Sequence, residues 1–151
     1  MIIREMKADE LSAICGLLEE IDQDANMPSP QAQSIWEAMN GYSYYKIFVA
    51  EDEAADPPAI VGTFALLIVH NLGHGGKPFA IVENVVVNPD HRGKGIGHRM
   101  MEEAMILAKA QGCYKLMLSS DIKREAAHRF YDSLGFERHG ISFRINLISR
   151  V

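Results

Sequence analysis

Along this chain of 151 residues the spacing of apolar positions alternates between a strand-like period near two and a helix-like period near 3.6. Ile2-Ile3-Arg4-Glu5-Met6 predicts a short first strand. Leu11, Ile14, Leu18 and Ile21 then recur three or four residues apart, one face of an amphipathic helix, with Asp9 placed to cap it. Met27-Pro28-Ser29-Pro30 breaks that helix. Ile35, Trp36 and Met39 predict a second helix, ended by Asn40-Gly41. Tyr45–Ala50 and Ile60–Val69 are strands separated by an acidic, proline-ended turn. The glycine-rich loop from His70 to Pro78 leads into another strand, Phe79–Val87, rich in Ile and Val. After the turn Asn88-Pro89-Asp90-His91, a helix carries Ile96, Met100, Ala104, Leu107 and Ala108 on one face, and Gly112 stops it. Tyr114–Leu118 is a buried strand, and a last helix carries Ala127, Phe130 and Leu134 up to Gly135. Phe143, Ile145 and Leu147 alternate with Arg144 and Asn146 as a closing strand.

This order predicts an α/β fold: a mixed, mainly antiparallel sheet of six to seven strands with helices on both faces. No repeat, low-complexity tract or long linker divides the chain, so residues 1–151 read as a single domain. The terminal strand, Ser142–Arg150, offers an edge through which two copies could pair as a homodimer.

Composition narrows the function. With 48% hydrophobic and 23% charged residues, the chain is an ordinary globular domain rather than a disordered one. No apolar run reaches the ~20 residues of a membrane span, and the N-terminus lacks a signal peptide's apolar stretch. Cys15 and Cys113 have no metal-type spacing and read as free thiols of a reducing, cytoplasmic compartment. Residues 1–60 carry 12 acids and 3 bases, whereas residues 61–151 carry 8 acids and 12 bases. A net charge of −5 argues against generic nucleic-acid binding, while the basic second part suits a small anionic ligand.

The most informative stretch runs from Val85-Val86-Val87 to Arg92-Gly93-Lys94-Gly95-Ile96-Gly97. A strand enters a turn with three alternate glycines and two cations, and a helix opens from it. Glycines let main-chain N–H groups approach a ligand, and the first helical turn has N–H groups to spare and a dipole that favours an anion. The combination is a phosphate cradle. It is not the dinucleotide fingerprint, because His98 stands where the third glycine belongs. Nor is it a Walker loop, because neither Lys94 nor Lys77 is followed by Ser or Thr.

Arg92-Gly93-Lys94-Gly95-Ile96-Gly97 resembles the acetyl-CoA signature, arginine-X-X-glycine-X-glycine, of the GNAT N-acetyltransferase superfamily. A second stretch, Ala127-His128-Arg129-Phe130-Tyr131-Asp132-Ser133-Leu134-Gly135-Phe136, is similar to that family's helix with its phenylalanine–tyrosine pair and terminal glycine–phenylalanine. The element order matches the family over nearly the whole chain. One departure is Arg124, at a place where family members often carry asparagine. The resemblance implies that acetyl-CoA is the acetyl donor and that its diphosphate rests on the N–H groups of Arg92, Gly93, Lys94, Gly95, Ile96 and Gly97. It further implies that pantetheine pairs with backbone at Val85 and Val87, where the sheet splays between its fourth and fifth strands.

The chemistry so implied is direct attack of an amine on a thioester. An alkyl amine of pKa ~10.4 is only about one part in a thousand neutral at pH 7, so a base is needed. Glu83 is the candidate, the lone acid between Asp56 and Asp90, set in an apolar strand; an edge-facing or salt-bridged Glu83 is the alternative. Strand alternation turns Asn84 to the opposite face. Tyr131 matches the family's general acid for the departing thiolate, or else packs under its helix. Neither cysteine is needed as a nucleophile. His70 and His74 sit among glycines, which fits a substrate-facing loop better than a metal site.

The acceptor read from this pattern is the primary amine of a small molecule. The alternatives are a protein N-terminus or lysine, or a non-catalytic acyl-CoA-binding module. Glu19, Glu20, Asp22 and Asp24, with Tyr42, Tyr44 and Tyr45, suit a cationic amine, though solvated helix faces account for them equally. Glu83-Asn84-Val85 and Gly112-Cys113-Tyr114-Lys115 are similar to glucosamine-6-phosphate N-acetyltransferases. The stretch Leu118–Tyr131 is similar to aminoalkylphosphonate N-acetyltransferases; both imply a phosphorylated amine met by Lys123, Arg124 or His74.

Overall fold

The computed structural model describes residues 1–22, 25 and 27–147. They fall into two compact units, one of Met1–Leu118 and one starting at Ser119. The first unit holds strands β1 (Ile2–Glu5), β2 (Tyr45–Asp52), β3 (Ala59–Val69), β4 (Phe79–Val87) and β5 (Leu116–Met117). Its helices are α1 (Leu11–Leu18), α2 (Ser29–Met39) and α3 (Ile96–Ala110). The strands form one sheet in the order β1-β2-β3-β4-β5. The first four are antiparallel neighbours, and β5 runs parallel to β4.

The sequence explains most of these boundaries. Asp9 does not cap α1; a 3-10 turn at Ala8–Glu10 precedes the helix, and the Glu10 carboxylate accepts the Lys7 N–H at 2.7 Å. Pro30, in the first turn of α2, is tolerated because that position needs no N–H donor. Gly112, at φ 74°, closes α3: its N–H donates to the Lys109 carbonyl, and the Cys113 N–H reaches back to Ala108.

The core has two sides. Val49 packs with Met6 and Ile14, and Leu11, Leu18, Trp36, Ile47 and Ile60 close round them on the α1 side of the sheet. Ala50 and Gly62 face the other way, against Met100 of α3. Helices therefore cover both faces, as the element order predicts. Phe64, Leu66, Val82, Met100 and Met101 are fully buried, and the Phe48 and Phe64 rings stack at 5.1 Å. Each such side chain contributes roughly 1.5–3 kcal/mol by leaving water. The buried Thr63 hydroxyl donates to the Phe48 carbonyl at 2.9 Å, so it carries no desolvation penalty.

Two expectations change. The fifth strand spans only Leu116–Met117 rather than Tyr114–Leu118. The sheet of the described residues has five strands, not six or seven, because Phe143–Leu147 forms no ladder. Ile141, Phe143, Ile145 and Leu147 are instead 82–91% exposed, and an alternating pattern becomes a strand only against a neighbour. Residues 148–150 of that expected strand, and Asp24, lie outside the described residues. The second unit holds helix α4 (Glu125–Ser133), closed by Gly135 at φ 81°.

Candidate active site

The site is built on the outer half of β4. The Ala80 N–H donates to the carbonyl of Lys115, just before β5, but β4 and β5 pair only at Ala80 with Leu116 and Ile81 with Met117. From Val82 onward the β5-side edge of β4 has no strand neighbour among the described residues. The β3 register also slips here: Thr63 faces Val86, yet Ala65 faces Glu83, so Asn84 and Val85 share one opposing residue. This is a β-bulge, with Asn84 at φ 55° in the left-handed region that asparagine tolerates better than most side chains. Beyond it, Asn88 N–H bonds the Val61 carbonyl. Counting back along the ladder leaves the main-chain groups of Val85 and Val87 facing the open edge.

The bulge interrupts the regular alternation on which the expected opposite facing of Glu83 and Asn84 rests, and both residues are exposed. Glu83 shares a row with Ala65 and Ile47, next to the row of Tyr45, Leu67 and Ile81. Its carboxyl reaches solvent, yet the protein removes enough of its hydration to push its pKa up. No cation pairs with it among the described residues. The Tyr45 hydroxyl is pushed up by burial and then by the charge of Glu83, which puts the two groups within electrostatic reach.

The turn after β4 follows directly. A 3-10 turn at Pro89–His91 is fixed by the Asn88 side chain, which accepts the Asp90 N–H at 2.9 Å. Arg92 folds back: its Nε donates to the Val87 carbonyl at 3.2 Å, and its Nη2 lies 3.3 Å from Glu20. Gly93 and Gly95 both sit at φ 76°, and α3 starts at Ile96. Among the described residues, nothing accepts from the N–H groups of Gly93, Lys94, Gly95, Ile96 and Gly97. A Cβ built on Gly93 or Gly95 would meet no atom within 4 Å. Five free donors round open space, at the positive end of a 15-residue helix, fit a diphosphate.

Glu83, Val85, Val87 and the turn Arg92–Gly97 thus follow one another along a single strand–turn–helix run of the first unit. Tyr131 belongs to the second. There its half-buried ring packs edge-on against Phe130 at 5.1 Å and Phe136 at 5.7 Å. Both neighbours come from the motif noted in the sequence. Arg124 stands at the N-terminal end of α4, its N–H donating to Asp121. The thiols of Cys15 and Cys113 are half-buried, and burial pushes both pKa values up, away from the thiolate. His74 stacks on Tyr114 at 4.2 Å. Sequence reasoning missed two parts: the bulge at Asn84, and Glu20 as the partner of Arg92. An asparagine inside a run of valines is a weak bulge signal, and nothing local links Glu20 to Arg92.

Comparison with known proteins shows the family. Residues 11–136 match the family described as "Acetyltransferase (GNAT) family". A glucosamine 6-phosphate N-acetyltransferase of Trypanosoma brucei brucei is 35% identical over 88 residues, 58% of this chain and 58% of that protein. One from Arabidopsis thaliana is 25% identical over 143 residues, 92% of this chain and 91% of its own. The solved Trypanosoma brucei acetyltransferase superposes with a TM-score of 0.83 at 26% identity, covering 97% of this chain and 99% of that one. The chain spans little more than half the length of the first curated relatives it matches, 58% for the Trypanosoma protein.

Proposed function

Because the chain belongs to the acetyltransferase (GNAT) family, we propose that it moves an acetyl group from acetyl-CoA to the primary amine of a small molecule. The observation that carries this reading is the set of five N–H groups at Gly93–Gly97 that have no acceptor among the described residues, next to a strand edge that has no neighbour among them. Those donors, with Arg92 and Lys94 beside them, would hold the diphosphate; Val85 and Val87 would pair with the pantetheine amides. Acetyl-CoA supplies the thioester carbonyl under attack. The assignment treats residues 1–151 as one domain, which a family match running from residue 11 to residue 136 supports.

Glu83 takes the proton that the ammonium must lose before attack. Its partial desolvation, which raises its pKa, makes it a better base at neutral pH than an ordinary carboxylate. As nitrogen bonds to the carbonyl carbon, the carbon–sulfur bond breaks, the thiolate receives a proton from the Tyr131 hydroxyl, and the second proton that the nitrogen sheds in becoming an amide restores the phenol. A thiol of pKa ~8.5 and a phenol of ~10 make that transfer uphill by roughly 2 kcal/mol, small against a typical barrier. No acyl-enzyme forms, consistent with thiols held protonated.

The names of the relatives make glucosamine 6-phosphate the first acceptor to try. Free thiols fit a reducing compartment such as the cytoplasm, and the exposed apolar alternation from Ile141 to Leu147 supports a homodimer. The test is an acetyl-CoA titration of wild type, Arg92→Glu and Gly95→Asp, followed by thiol release with glucosamine 6-phosphate. Affinity should fall at least tenfold in both variants, and Glu83→Gln should slow turnover. Undiminished affinity in both variants would remove the cradle, and tight binding without any amine turnover would leave an acyl-CoA-binding module.

A further inference from the structure

Beside Glu83 the first unit builds a corner whose makeup points to a ligand. Tyr42, in the turn after α2, is 61% exposed. Its ring meets that of Tyr45 at right angles, 86° between planes and 5.7 Å between centroids. The sheet register puts Tyr45 and Glu83 on the same face: Tyr45 lies in the row with Leu67 and Ile81, and Glu83 in the adjoining row with Ala65 and Ile47. Ala65 is small and buried, so the row in front of Glu83 is low. Lys46 cannot serve the corner. Strand alternation turns it to the other face, where its Nζ binds Glu5 at 2.7 Å and lies over the Tyr44 ring.

Two aromatic rings at right angles and a carboxylate without a cation therefore share one face. Ring faces carry negative potential and attract cations, and a carboxylate does the same with a full charge. We infer that Tyr42 and Tyr45, with Glu83, form the wall that receives the acceptor as a protonated primary amine, which Glu83 then deprotonates in place. This rests on the proposed role of Glu83 and adds a recognition step to it. Tyr42 and Tyr45 are positioning residues: they hold the ammonium nitrogen beside the carboxylate and exchange no proton with it. The acceptor class follows. A charged amine is selected over the hydroxyl compound of the same shape, because only the cation gains from the rings and the carboxylate.

The experiment has two arms. In the first, n-butylammonium chloride and butan-1-ol, close in shape, are titrated into the full chain while the Tyr42 and Tyr45 ring protons are followed by NMR. The ammonium should shift both rings saturably, and the alcohol should not. Equal shifts, or none from the ammonium, overturn the inference. In the second arm, KM and kcat for glucosamine 6-phosphate are compared among wild type, Tyr42→Phe, Tyr42→Leu and Tyr45→Leu. The two leucine variants should raise KM about threefold to thirtyfold with kcat within about twofold, and Tyr42→Phe should restore it, since the ring face rather than the hydroxyl is used. Unchanged KM in both leucine variants, or a loss that phenylalanine fails to rescue, overturns the inference. Absence of all turnover counts against the proposed activity alone, and the first arm still decides on the corner.

Discussion

Asn84 offers a direct test of how the site is built. The residue adopts φ 55° inside an otherwise regular strand, between fully buried Val82 and buried Val86. For most L-residues a left-handed conformation costs on the order of 1–2 kcal/mol, and a β-branched side chain suffers more than asparagine. Asn84→Val can respond in two ways. It can keep the bulge and bear that strain, or it can expel the extra residue and slip the register of Val85–Val87 against β3. A one-residue slip turns every side chain to the opposite face, so Val86 would lose its burial, worth roughly 1.5–3 kcal/mol. The slip is the costlier response, so the bulge should persist. The expected result is a variant about 1–2 kcal/mol less stable, seen as a lower urea midpoint with an unchanged m-value and a Tm lowered by roughly 2–8 °C. Asn84→Gly, which adopts φ 55° freely, should stay within about 1 kcal/mol of wild type. Since the bulge survives, acetyl-CoA affinity should remain within about threefold in both. If Asn84→Val matches wild-type stability, or Asn84→Gly proves the weaker of the two, the strained-bulge reasoning is wrong.

Other consequences can be checked alongside. Gly62→Ala places a Cβ 2.8 Å from the Met100 sulfur and 3.1 Å from the Val86 carbonyl oxygen, so overpacking should cost about 1–3 kcal/mol in a thermal melt. Arg4 bonds Glu10 at 2.6 Å and Glu51 at 2.8 Å, with the Arg4 and Glu10 side chains less than one-fifth exposed; Arg4→Ala should destabilise by about 2 kcal/mol at pH 7. Arg4 holds both carboxylates below their usual 4.5, so this stabilisation is present above about pH 4.5 and fades as pH falls further; the gap between wild type and Arg4→Ala in chemical denaturation should close with it. For Glu83 the sign is opposite. Burial favours its neutral form, so the acid limb of kcat/KM should lie above pH 4.5, and Glu83→Gln should abolish the limb and slow turnover by about 10²–10⁴-fold.

Periodicity located the elements well where a segment buries a full face. β4 appears at Phe79–Val87 and α3 from Ile96, both as the apolar spacing predicts. It failed where the outcome depends on a neighbour. Phe143, Ile145 and Leu147 alternate like any half-buried strand, but alternation states which face would be covered, not that a cover exists. The short β5 likewise depends on a neighbour: Tyr114–Leu118 is apolar enough, yet the ladder with β4 covers only Leu116 and Met117. The turn before α3 was legible because its requirement is local, a run of glycines before a helix. Glu83 was legible as an acid out of place among valines. Its relation to Tyr45 and Tyr42 was not, since that depends on the register of three strands.

The glycines of this chain separate two physical demands that look identical in sequence. Gly62 is needed for space: a side chain there would strike Met100 and the β4 backbone, although its φ is ordinary. Gly93 and Gly95 have open space where a Cβ would go, and are needed for φ 76°. Filling space at Gly62 should therefore harm stability first, and through it everything else. At Gly93 and Gly95 the left-handed turn leaves N–H groups without internal acceptors, a state that would cost about 1–3 kcal/mol for each donor if it were buried. These residues are exposed, so the donors are open to water, and the proposed diphosphate would exchange water for a charge-assisted bond at each. The arrangement adds nothing to the core, and a plain strand–helix corner does not require it, which is the ground on which the proposed diphosphate site rests.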